Sequence, residues 1–172
     1  MTYSLPDMLV NCQNFFAKSG WYCSPLKGNT DTPRVLYVST PLLLSNRKPL
    51  DFYIQETGGF ISIYDDGTTL FALSNNGFDF TNRRNWKGLH ALAEKFDFVL
   101  DETGEFKSTK PVAEFMVLCA DAIALFSSIR TWEKERSSED DADFSLTHQV
   151  EEILLRNRMP LARANSQVKE IL

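Results

Sequence analysis

Three aspartates are the residues of this chain best placed to do chemistry. Asp65 and Asp66 stand side by side in "SIYDDGTTLFAL", Ser62 to Leu73, and Asp51 opens the run "DFYIQET". Carboxylate oxygens are hard donors, and a pair with a third acid nearby suits a divalent cation. A metal held by Asp51, Asp65 and Asp66 would make a metal-dependent nuclease or hydrolase, the chemistry that gathers acids and a lysine on strand ends. Gln55 lies nearby in sequence, but no strand after "DDG" offers a Glu-x-Lys pattern, so that set is incomplete. The same letters also spell a turn. Aspartate and glycine tolerate unusual backbone angles, and aspartate bonds nearby amides. A plain reversal explains "DDG" without chemistry; it is the reading adopted, with no metal and no cofactor assigned.

The rest of the catalytic inventory is thin. His90 and His148 are the only histidines, and neither sits in a nucleophile–base arrangement. There is no glycine-rich phosphate loop. Arg83, Arg84, Trp86 and Lys87 form a basic cluster beside an aromatic, a combination that can hold a phosphate backbone and stack a base. Their alternative is a solvated helix start, and the formal net charge of -5 argues against broad nucleic-acid binding. Glu133 to Asp143 carries six acids and two bases. It reads as a helix end leading into a linker. Its alternative is an acidic surface, Glu139, Asp140, Asp141 and Asp143, that engages a basic partner. The three cysteines, Cys12, Cys23 and Cys119, fit no metal spacing, and Cys119 lies in a stretch expected to be buried. No signal peptide is visible, and no apolar run approaches the roughly 18 residues of a membrane span. The expected compartment is therefore the cytoplasm of a bacterial or infected host cell, with thiols reduced.

These residues need elements to hold them. A chain of 172 residues supports one domain with a real core, and 13 phenylalanines supply large side chains for it. Leu5 to Lys18 has an apolar stripe at helical spacing, capped by Ser4 and ended by Gly20. Residues 24–34 read as a loop. "VLYVSTPLLL" is β-rich, with Pro41 forcing a bend or an edge. Gly58 and Gly59 join "DFYIQET" to "FISIYDD" as a tight hairpin. That register sets Thr57 opposite Phe60, Ile54 opposite Ile63 and Tyr53 opposite Tyr64, with the two tyrosines on the face away from the isoleucines. It also places Asp51 near Asp66. "TTLFAL" reads as a further strand, "NWKGLHALAEKFD" as a helix, and "FVLD" with "EFKST" as a second hairpin. Pro111 opens the longest helix, to about Arg136, apolar nearly all round in its first half and expected to cross the sheet as the central core helix. The fold class is α+β: an N-terminal helix, an antiparallel sheet of about five strands, the long helix packed on it and a short helical tail. The division is 1–136 for the domain and 137–172 for acidic linker and tail.

With that order of elements in hand, the chain resembles a bacterial and phage family, domain of unknown function 1828, over about residues 5–135. The likeness rests on Thr40 and Pro41 before the strand pair, then on Asp65, Asp66, Gly67, Thr69 and Leu70. Tyr64 departs from the small hydroxyl residue more usual in the family. Larger members continue into a second domain, where this chain has only the short linker and tail. The resemblance implies phage or prokaryotic origin and association with mobile elements. It brings no established activity and no catalytic residues.

Together these readings lean away from an enzyme. The expected function is a non-catalytic intracellular protein-interaction module, in a phage or mobile element a modulator of a host defence complex. Its partner would be another protein, or a second copy through the C-terminal tail, with no membrane. The metal-dependent hydrolase and the nucleic-acid-binding module stand as alternatives.

Overall fold

The computed structural model describes residues 5–17, 20–26 and 35–156. The chain divides into two compact units, Met1–Glu133 and Lys134–Leu172. The first is an α+β fold. Helix α1 (Leu5–Phe16) precedes strands β1 (Tyr22–Pro25), β2 (Val35–Ser39), β3 (Phe52–Thr57) and β4 (Phe60–Tyr64). Helices α2 (Thr68–Asn75) and α3 (Arg83–Lys95), strands β5 (Val99–Leu100) and β6 (Phe106–Pro111), and helix α4 (Phe115–Arg156) follow. The six strands make one antiparallel sheet in the order β1-β2-β3-β4-β6-β5. The strand beyond the expected five is β1, at the start of a stretch read as loop; pairing with β2 holds it despite its short, proline-ended sequence.

The glycine hairpin has the expected register, with Thr57 opposite Phe60, Ile54 opposite Ile63 and Tyr53 opposite Tyr64. Gly58 and Gly59 both take positive φ, 61° and 85°, as a two-residue loop matched to strand twist requires. Alternation then gives the sheet two unlike faces. Leu36, Val38, Phe52, Ile54, Ile61, Ile63 and Phe106 point inward and are fully buried. Against them lies α4, with Phe115, Leu118, Cys119, Ala122, Leu125, Phe126 and Ile129 buried. Phe126 stacks on Phe52 with ring centroids 5.1 Å apart. The stretch Val112–Glu139 is long and apolar enough to cross a bilayer by length and composition, contrary to the sequence expectation. Its most apolar side chains lie in this core instead, as in any central helix of a packed domain.

Four expectations are corrected. "TTLFAL" is not a strand but α2. Asp66 and Gly67 take left-handed angles, φ 54° and 70°, which turn the chain out of the sheet, and Asp65 then supplies the side-chain cap for the first turn. A short apolar run without clear period cannot tell helix from strand, and the cap decides it. The acidic run is not a linker: the backbone is helical through Arg156. Its charges recur on a helix-compatible background without Gly or Pro, so nothing breaks the turn. The N-terminal thiols are not free: Cys12 of α1 and Cys23 of β1 are disulfide-bonded, because β1 returns beneath α1, a contact that follows from the unexpected strand. The longest apolar stretch, as noted, does reach spanning length. Cys119 is buried as expected, and its thiol is pushed above the ordinary range by burial.

Candidate binding face

The carboxylates of the sequence reading serve the backbone. Asp65 is fully buried at the junction of β4, α2 and β6. Its Oδ1 accepts from the amides of Phe106 (2.8 Å) and Gly67 (3.2 Å), and its Oδ2 from the amide of Thr69 (3.0 Å). Burial pushes its carboxyl above the usual range, and these hydrogen bonds oppose that rise. Asp66 is exposed in the turn. Asp51 lies beyond the last rung of the hairpin. Its Oδ1 accepts from the amide of Thr40 (2.8 Å), and its Oδ2 from the phenol of Tyr37. Asp51 and Asp65 thus occupy separate hydrogen-bond sets, and Asp66 is exposed. Among the described residues, no three His, Cys, Asp or Glu side chains group as a metal site.

The basic cluster opens α3, whose N-cap Asn82 accepts from the amide of Arg84 at 2.9 Å. Arg83, Arg84 and Lys87 are exposed. Trp86 is half-buried, packed on the core beside Phe80 and His90, with ring centroids at 6.5 and 5.1 Å. A base would have to displace those contacts to stack on it. In the second unit, Glu139 is exposed and pairs with Arg136 at 2.8 Å. The side chains of Asp140, Asp141 and Asp143, and the tail 157–172, lie outside the described residues.

The outer face of the sheet carries what the sequence reading only half saw. Tyr37, Tyr53, Tyr64 and Lys107 stand opposite one another on β2, β3, β4 and β6. Tyr37 and Tyr53 have ring centroids 5.7 Å apart, Tyr53 and Tyr64 stack at 5.5 Å, and the Lys107 ammonium lies 5.8 Å over Tyr64. The next row is polar, with Ser62 and Thr109 hydroxyls 2.7 Å apart. All three tyrosines are half-buried, and residues of α2 lie beside Tyr37 and Tyr53 at one end of the row. The row exists because each tyrosine alternates with buried neighbours, Leu36 and Val38, Phe52 and Ile54, Ile63 and Asp65.

At the β2 end of this row α2 rises beside the sheet and leaves a cleft of about 250 Å³ lined by Tyr37, Asp51, Tyr53, Phe71 and Asn75, with Lys48 at its rim. Phe71 is 70% exposed there. Burial and the Asp51 carboxylate push the Tyr37 phenol up to about 12. At the other end burial, Asp66 and Glu105 raise Tyr64, and burial with Asp101, Asp65 and Asp66 raises Glu105 despite Lys107. The aromatic row therefore sits in a field with more acids than bases around it. The hairpin register placed Tyr53 and Tyr64 together on the outer face; the alternation around Tyr37 was the further signal available, and its alignment with β3 was not.

The family model "Domain of unknown function DUF1828" matches residues 40–128, from the connection before β3 to the middle of the core helix. No curated protein and no solved structure matches the chain.

Proposed function

The chain belongs to the family of domain of unknown function DUF1828, and for this member we propose a non-catalytic protein-interaction module that engages its partner with the tyrosine-bearing face of the sheet. The observation that carries this reading is the continuous, half-buried aromatic row Tyr37–Tyr53–Tyr64 on the sheet face opposite the α4-packed core. Tyrosine joins a large rigid apolar surface to a polar tip, which is why it concentrates binding energy at protein interfaces. The surrounding acids, Asp51, Asp66, Asp101 and Glu105, outnumber Lys48 and Lys107 and suit a protein surface better than a phosphate backbone. In the phage or mobile-element setting that the family likeness suggests, a host defence complex is the partner class to try first.

The hydrolase alternative draws no support from the geometry, since among the described residues Asp51, Asp65 and Asp66 do not group as a metal site. The nucleic-acid alternative retains exposed Arg83 and Lys87 but not a free aromatic platform. The test is affinity capture from bacterial lysate with the wild type, with Tyr53→Ala/Tyr64→Ala and with Arg83→Ala/Lys87→Ala. A partner lost only with the tyrosine pair supports the reading. A partner kept by the tyrosine variant, or no specific partner at all, contradicts it.

A further inference from the structure

Resting on that reading, we propose that the cleft between α2 and the β2–β3 face is an anchor site for one arginine side chain of the partner, its guanidinium paired with Asp51 and its plane laid against Phe71 and Tyr53. The size points to a side chain. Small-molecule sites run from about 300 to 1,000 Å³, and this cleft is about 250 Å³. The chemistry points to a cation. Asp51 is half-buried at the cleft, and its two hydrogen bonds come from neutral donors, the Tyr37 phenol and the Thr40 amide. A carboxylate has about four acceptor positions, and Asp51 has two of them filled by these donors. Among the described residues no Lys, Arg or His forms an ion pair with it. A carboxylate beside aromatic rings attracts a positive charge.

A carboxylate beside aromatic rings favours guanidinium over ammonium. Two parallel N–H groups match a carboxylate, and the flat group stacks on a ring, which an ammonium cannot do. Tyr37 remains protonated to high pH, so its phenol keeps donating to the Asp51 carboxylate. Lys48 stands at the rim, exposed and unpaired with Asp51. Its charge opposes a second cation, so its removal is expected to strengthen binding.

The probes are N-acetyl-arginine methylamide and its neutral isostere N-acetyl-citrulline methylamide, titrated into the full chain and followed by ring resonances of Phe71, Tyr37 and Tyr53. Arginine amide is expected to give saturable millimolar shifts, with citrulline at least about tenfold weaker because it lacks the charge. Asp51→Asn and, separately, Phe71→Ala should abolish the arginine shifts, and Lys48→Gln should strengthen them. Phe71 is largely exposed, so its variant keeps the test valid should Asp51→Asn disturb the loop. Absence of saturation, equal binding of citrulline, or indifference to both variants overturns the proposal. Partner capture that survives Asp51→Asn but fails with Tyr53→Ala/Tyr64→Ala removes the arginine anchor and leaves the sheet-face reading standing. Saturable arginine binding by a chain that captures no partner does the reverse.

Discussion

The two faces of the sheet are built from the same strands and the same aromatic-rich composition, yet they have opposite fates. On the inner face Phe52 stacks on Phe126 and meets Phe16 and Trp21 edge-on, with no exposure. On the outer face Tyr53, its immediate neighbour, has ring contacts with Tyr37 and Tyr64 and is half-buried. The first arrangement stores stability; the second keeps large rings available at modest stability cost. That contrast, more than any catalytic group, is what the proposed binding role of the outer face rests on.

The contrast can be broken from the inside first. Phe52→Ala should cost roughly 3–5 kcal/mol of unfolding free energy, since it empties a site ringed by three aromatics. Chemical denaturation measures it. Asp65→Ala comes next. It strands the amides of Gly67, Thr69 and Phe106 and removes the cap of α2, so about 2–4 kcal/mol is expected. In the same experiment magnesium or manganese should leave the wild-type midpoint unchanged, whereas a metal centre on Asp51, Asp65 and Asp66 would raise it. Tyr53→Ala should cost only about 1–2 kcal/mol, the scale of two ring contacts on an open face, while eliminating partner capture. A loss as large as that of Phe52→Ala would erase the distinction between the faces.

A pH experiment sharpens the comparison further. The Tyr37 phenol is held up to about 12, above its ordinary 10.0, by burial and by Asp51. The folded value exceeds the unfolded one, so the linked stability is fully present below the ordinary phenol range and is lost as pH rises through about 12. Phenolate absorbance should show Tyr37 and Tyr64 titrating late, and Asp51→Asn should lower the Tyr37 value, leaving the part of its rise due to burial. The smallest effect is expected at α3, where Arg83→Ala/Lys87→Ala should leave stability within about 0.5 kcal/mol.

Much of this was legible in the residues. The double glycine fixed a register that proved correct pair by pair, because a two-residue loop leaves no freedom to slip. The apolar run from Phe115 announced the core helix. Other features needed contacts distant in sequence. "TTLFAL" has no period of its own, and its helical state depends on a cap from Asp65 and on two left-handed residues before it. β1 is a strand because β2 is beside it, and the Cys12–Cys23 bond depends on that strand. The candidate face shows the same limit. Tyr53 and Tyr64 could be paired from the hairpin, but Tyr37 joins them across residues 40–51, a connection whose length says nothing about β2–β3 register.

The most direct measurement is hydroxyl-radical footprinting of the chain with and without its captured partner. The two faces carry their own internal standards, Tyr53, Tyr64 and Phe71 on one side and the exposed Met116 of α4 on the other. Binding through the sheet face should suppress oxidation of the tyrosines and Phe71 and leave Met116 unchanged. Protection of Met116 with unaltered oxidation of the tyrosines would contradict the account.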